Sequence, residues 1–254
     1  MSEAALGKFD KSGKFVETGA ASSITAPASG LISARAVDKS FHDAGREVVV
    51  LSGLDLEVAA GEEIAIIGQS GVGKSTLLHV IGSLERPTGG KVLFEDRDLF
   101  AMDERQTAEF RNHNLGFVFQ FHYLLADFSA LENVMMPALI ARLPDRQARE
   151  MAENVLERVG LKDKGHRRPA ELSGGEQQRV AVARAVVLGP RLVLADEPTG
   201  NLDPKTADEI HEVFHRLNRE LGLTLVVATH NERLSSSMTR TLRLRDGKLF
   251  PETI

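Results

Sequence analysis

The chain predicts an α/β fold: buried strands alternating with helices, an antiparallel β flank, and an inserted block of helices. Three observations carry this. Glu63-Ile64-Ala65-Ile66-Ile67 is a short β-branched, apolar run that leads into a glycine-rich loop and then into a helical repeat of Leu77, Leu78, Ile81 and Leu84. Arg191 to Ala195 and Leu223 to Ala228 are further apolar runs, separated by an amphipathic stretch. Leu54, Leu56 and Val58 alternate instead with Asp55 and Glu57, as in a half-exposed antiparallel strand.

In chain order, residues 1–30 are rich in Ala, Ser, Gly and Thr, lack an apolar signal core, and read as a flexible extension. Residues 31–254 read as one domain. Leu31 to Val37 and Val48 to Leu51 are strand candidates around a polar turn at His42 to Arg46. Lys91 to Phe94 is a strand after the turn Pro87-Thr88-Gly89-Gly90. Leu115 to Phe119 is apolar and ends at Gln120. A capping box, Ser129 with Glu132, opens a helix. A second helix begins near Pro144, with Ala148, Met151, Ala152, Val155, Leu156 and Val159 on one face and Gly160 as its cap. The helical insertion thus runs over about 121–169. Ser173 with Glu176 opens another helix, running to Gly189-Pro190. Asp203 and Pro204 begin the next, which turns Ile210, Val213, Phe214, Leu217 and Leu221 to the core and closes at Gly222.

Composition removes several classes of function. With 31 basic and 36 acidic residues the net charge is −5, which argues against a general nucleic-acid binder. The absence of cysteine excludes disulfides and thiolate zinc sites. No run approaches the roughly 18 apolar residues of a membrane-spanning helix.

The chemistry is concentrated in Gly68-Gln69-Ser70-Gly71-Val72-Gly73-Lys74-Ser75-Thr76, a phosphate-binding loop. Backbone N–H groups can wrap a polyphosphate only where side chains are out of the way, and the glycines supply that. The following helix N-terminus adds aligned amides. Lys74 can reach the β- and γ-phosphates, and the Ser75 hydroxyl suits Mg²⁺, a hard cation. Val72 stands where a small polar residue is commoner, so its side chain must point away from phosphate. Asp196 and Glu197 follow an apolar strand, at the sheet edge where ligands bind in open α/β folds. Asp196 can hold Mg²⁺, and Glu197 can orient or deprotonate an attacking water. Two acids capping a strand would otherwise be ordinary surface groups.

Leu172-Ser173-Gly174-Gly175-Glu176-Gln177-Gln178-Arg179, then Leu192 to Glu197, Asn201-Leu202-Asp203 and His230, follow the phosphate loop in an order and spacing that resemble the nucleotide-binding subunits of ABC transporters. The resemblance spans about 31–248 and implies a P-loop NTPase, RecA-like core. It implies a homodimer paired head to tail, with ATP between one subunit's phosphate loop and the other's Ser173, Gly174 and Gly175. The Gly-Gly pair at a helix start suits close backbone approach to phosphate. The resemblance further implies that Gln120 senses Mg²⁺ and the attacking water, that His230 contacts the γ-phosphate, that Asp203 couples the two sites, and that Phe41 stacks on adenine. Phe41 could equally fill the antiparallel core. Glu176 departs from the commoner Gln but still completes the capping box.

Gln120 to Val134 and His166 to Leu172 are similar to the lipoprotein-releasing, LolD-type branch; Leu194 to Asp203 is shared with macrolide-exporter and cell-division relatives. The branch implies an ATPase at the cytoplasmic face of a bacterial inner membrane, attached only through separate transmembrane permease subunits. The apolar Phe121 to Phe128 is the candidate contact with them, or else part of the helical core. DNA-repair ABC ATPases are disfavoured, because no long insertion fits between Gly73 and Leu172, and tandem translation factors because there is one phosphate loop.

Overall fold

The computed structural model describes residues 30–43 and 45–252, with the backbone of 8–9 and 15–16. The expected flexible extension therefore lies outside the described residues, apart from a short antiparallel pairing of β1 (Lys8–Phe9) with β2 (Phe15–Val16).

Alternating apolar residues build the four-stranded antiparallel sheet. Its strands are β3 (Ile32–Asp43), β4 (Arg46–Val58), β6 (Gly89–Phe94) and β7 (Arg97–Asp98), in the order β4-β3-β6-β7. The sequence suggests separate short strands here, but β3 and β4 are each continuous. The interruptions are absorbed by register shifts between Ala34 and Ser40 and by left-handed backbone at Ala36 (φ 48°) and Gly53 (φ 54°). Part of the expected turn at 42–46, Ala44, is outside the described residues.

The second sheet holds β5 (Glu63–Ile67), β8 (Leu115–Phe119), β9 (Leu192–Asp196), β10 (Thr224–Ala228), β11 (Arg240–Arg245) and β12 (Lys248–Glu252), in the order β12-β11-β5-β10-β9-β8. All pairings are parallel except β11 with β12. Successive side chains alternate between two cores. Ile64, Ile66, Leu192, Leu194 and Val226 pack with the antiparallel sheet and α1 (Lys74–Ile81). Ala65, Val193, Ala195, Leu225 and Val227 pack against helices on the other face. Burial on both faces is why these strands read as continuous apolar runs.

The helices on that second face are α3 (Ala130–Ile140), α4 (Asp145–Arg158), α5 (Gly174–Val186) and α6 (Pro204–Leu221), with the short α7 (Glu232–Ser237) after β10. The expected capping boxes form: Ser129 with Glu132 and Ser173 with Glu176 each satisfy the helix start reciprocally. Asp203 accepts from the Lys205 and Thr206 N–H groups, with Pro204 at the first helical position. Gly160 (φ 76°) follows α4 and Gly222 (φ 63°) ends α6, each in left-handed conformation.

Three expectations change. Leu84 lies beyond the end of α1 and is exposed, because the chain leaves the helix at Gly82. Leu221, in the last turn of α6, is also exposed. A Cβ at Gly82 would meet Phe117 and Leu194 at 2.6–2.7 Å, so the exit from α1 is packed tightly on the sheet. The third change is an additional helix, α2 (Glu104–Asn114), which buries none of its residues and so leaves no apolar stripe in the sequence; its signal is the Asp103–Gln106 capping box.

One buried amide helps to fix the loop between β8 and α3. Asn133 accepts the Leu125 N–H at 2.8 Å and donates to the Leu125 and Phe128 carbonyls, both at 3.1 Å. Asn133→Leu would keep the forked outline of the side chain and strand those backbone groups. It should lower unfolding stability by about 1–3 kcal/mol, read as a shift of the urea midpoint at unchanged slope.

Candidate functional site

Register brings the candidate residues together. Ile66 pairs with Ala228, Ala228 with Asp196, and Asp196 with Phe119, forming one row across β5, β10, β9 and β8. The chain leaves each strand just past this row. Gly68, His230, Glu197 and Gln120 therefore emerge at the same carboxyl-terminal edge.

The phosphate loop is shaped by its neighbours. A Cβ at Gly68 would lie 2.8 Å from the Leu244 carbonyl oxygen of β11. Gly73 (φ 110°) caps α1 in left-handed conformation, and a Cβ there would lie 2.5 Å from Val50 Cγ1 of β4. The loop is thus wedged between the two sheets. Val72 packs into the core beside it, as its apolar side chain requires. Gln69, Ser70, Gly71 and Ser75 are exposed, and Thr76 half-buried. Lys74 is buried, and its Nζ donates to the carbonyls of Gly68 (2.9 Å) and Gln69 (3.2 Å).

Glu197 connects this loop to β10. Its own backbone is left-handed (φ 46°), a strained conformation for a non-glycine residue, and its N–H donates to the Ala228 carbonyl at 2.8 Å. Its Oε1 lies 3.8 Å from Lys74 Nζ, and its Oε2 lies 2.9 Å from His230 Nδ1 and accepts the His230 N–H at 3.2 Å. The Glu197 side chain is only 17% exposed, whereas that of His230 is 71% exposed, so the carboxylate is sheltered and the imidazole lies open to a ligand. Gln120 Nε2 donates to Asn201 Oδ1 at 2.9 Å. Asn201 is a neighbour that sequence reading placed in the motif without a role of its own.

Among the described residues no group of three or more His, Cys, Asp or Glu could hold a metal ion. Asp196 nevertheless has a buried Oδ1 with no hydrogen-bond partner. An orphaned carboxylate oxygen beside a phosphate loop fits a cation that takes its remaining ligands from hydroxyl, amide and phosphate oxygens.

Ser173, Gly174, Gly175 and Asp203 form a second group. No hydrogen bond or ion pair joins Ser173, Gly174 or Gly175 to residues 68–76 among the described residues. A Cβ at Gly175 would lie 2.3 Å from Thr206 Cγ2. The close approach of α5 to the start of α6 by itself requires a glycine here. Gly174 has ordinary room, 3.5 Å from Leu202, and is exposed. Asp203 accepts the Thr206 hydroxyl at 2.5 Å, and this bond, with the Thr206 N–H, holds its carboxyl below the usual carboxylate range.

Phe41 is 37% exposed, with Lys39 Nζ 4.7 Å from its ring centre, and pairs across the hairpin with Val48. It lies on the surface of the sheet whose Val50 touches Gly73. Phe121 (63%) and Tyr123 (66%) are exposed, as are Leu125 and Phe128, while Leu124 packs inward. Sequence reading missed what holds this segment: Asn133, and Arg184 of α5, which donates to the His122 carbonyl at 2.8 Å and the Tyr123 carbonyl at 2.7 Å. Burial pushes the Arg184 guanidinium pKa down. The only sequence signal for either is a polar residue on an otherwise apolar helix face.

The ABC transporter family model matches residues 51–200. The lipoprotein-releasing system ATP-binding protein LolD of Geobacter metallireducens is 54% identical over 88% of this chain and 100% of its own length. LolD of Myxococcus xanthus is 53% identical over 86% and 98%. Among solved structures, the dimeric ATP-binding cassette MJ0796 in a post-hydrolysis state with ADP and Pi is similar, at TM-score 0.81 and 34% identity, covering 87% of this chain and 97% of that one.

If the Phe41 ring stacks on a base, Phe41→Ala should raise the ATP dissociation constant about tenfold or less, since such stacking contributes roughly 0.5–1.5 kcal/mol. Phe41→Tyr should be nearly neutral. Titration with a fluorescent ATP analogue decides it, and equal affinities for all three forms would remove the stacking role.

Proposed function

The chain belongs to the ABC transporter family, and from that premise we propose that it is the ATP-hydrolysing subunit of a complex that releases lipoproteins from a bacterial inner membrane. The observation that carries the ATPase reading is the contact of Glu197 with both Lys74 and His230 at the edge where the phosphate loop ends. The LolD relatives, about half identical over nearly their whole length, support the lipoprotein branch over the macrolide-exporter or cell-division alternatives.

In this reading residues 68–76 wrap the phosphates of ATP and Lys74 moves from the loop carbonyls to the β- and γ-phosphates. Asp196, Ser75 and Gln120 would hold Mg²⁺, which when bound neutralises charge on the phosphate oxygens. The Glu197 carboxylate accepts a proton from the attacking water, and His230 both orients that carboxylate and contacts the γ-phosphate. Ser173, Gly174 and Gly175 of one copy complete the site of another, with Asp203 between them. That arrangement accounts for their separation from the phosphate loop within one chain. The dimeric form of MJ0796 is consistent with it.

No helix among the described residues is long and apolar enough to cross a membrane. Attachment at the cytoplasmic face would run through separate permease subunits. Exposed Phe121, Tyr123, Leu125 and Phe128, directly after Gln120, form the surface suited to them.

Two experiments follow. Glu197→Gln keeps the shape but cannot take a proton at neutral pH. It should reduce hydrolysis to near background while retaining ATP and giving an ATP-stabilised dimer on size exclusion; wild-type turnover would remove Glu197 from catalysis. Leu125→Ala and Phe128→Ala should keep their melting temperature yet lose co-purification with, and stimulation by, the membrane subunits. A large drop in melting temperature with normal assembly would return these side chains to the core.

A further inference from the structure

Glu176 puts a carboxylate where an anion is to be bound. The capping box bends its side chain back over the start of α5: Oε2 accepts the Ser173 N–H at 2.9 Å, and the Glu176 N–H donates to Ser173 Oγ at 3.3 Å. For an isolated helix this charge is favourable. For a helix start that receives phosphate it is a like charge within the first turn, beside Ser173 and Gly174. The side chain is also largely buried, at 13% exposure, so solvent screens it poorly.

The other oxygen, Oε1, is engaged by Lys164 Nζ. Lys164 ends the short turn after α4, where its N–H donates to the Leu161 carbonyl and its own carbonyl accepts the Arg167 N–H, both at 3.0 Å. Two other cations of these segments pair elsewhere: Arg179 with Glu209 at 3.0 Å, and Lys162 with Glu157 at 2.6 Å. The Lys164 bond, followed by that from Ser173, also holds the Glu176 carboxyl below its usual range.

We infer that Lys164 is a positioning and charge-compensating residue of the Ser173 helix start, neutralising Glu176 so that these amides can receive the triphosphate of ATP bound to a second copy. The inference rests on the shared-site reading above. A glutamine at 176 would cap the helix without needing a cation; the acidic residue here makes Lys164 necessary.

The test is the ATP dependence of hydrolysis by the purified homodimer for wild type, Lys164→Met, Glu176→Gln and the double variant. Lys164→Met should raise half-saturating ATP about tenfold, with the rate at saturating ATP changed much less. In the Glu176→Gln background the Lys164→Met penalty should fall below about twofold, and Lys164→Arg should restore the wild-type value. Wild-type half-saturation in Lys164→Met would overturn the inference. So would a penalty that persists with glutamine at 176, which would mark Lys164 as a support of the local fold. Ser173→Arg separates the two levels. Normal hydrolysis by that variant would defeat the shared site itself, whereas a dead Ser173→Arg with an indifferent Lys164→Met would defeat only the role of Lys164.

Discussion

Everything at the candidate site depends on the in-register parallel pairing of β5, β10, β9 and β8. Ile66, Ala228, Asp196 and Phe119 stand side by side, so the residues that follow them arrive at one edge together. The register is held by both faces of the sheet. Successive side chains of β9 and β10 enter different cores, and a slip of one residue would exchange Leu194 for Ala195 and Val226 for Val227 between two cores of different shape. Packing on the two faces thus fixes the alignment of polar groups that contribute little to stability themselves.

Past that edge, polar groups are left in arrangements that folding alone would not select. Glu197 adopts left-handed backbone, Asp196 keeps a buried oxygen without a partner, and Lys74 is buried against carbonyls rather than extended into solvent. Each costs free energy: on the order of 1–3 kcal/mol for a strained residue, and a comparable amount for an unsatisfied buried acceptor. The surrounding strands are buried on both sides and over-determine the geometry. That rigidity is what allows charges to be held ready for a ligand that carries charges of its own.

The helical face has a different logic. Gly175 lets α5 approach Thr206, which joins the Ser173 helix start to the Asp203 cap. At its other end α5 supplies Arg184, which holds the carbonyls of His122 and Tyr123, while Asn133 holds Leu125 and Phe128. The exposed segment after Gln120 is therefore tied to the same helix whose start carries Ser173. A displacement of that segment by a partner has a direct mechanical route to α5.

The sequence by itself determined the elements whose reason is local. The phosphate loop, the boxes at Ser129 and Ser173, the Asp203–Pro204 start and the buried strands 63–67, 192–196 and 224–228 were legible, because glycine placement, capping and hydrophobic runs are chain-neighbour physics. Helix α2 was hard to read because none of its residues is fully buried, and the continuity of β3 and β4 because register shifts absorb breaks that look like turns. Only the tertiary structure decided that Gly175 serves Thr206, that Phe41 lies at the surface, that Asn201 holds Gln120, and that Lys164 answers Glu176. Each joins side chains through packing between elements, and spacing along the chain carries no record of which elements will meet.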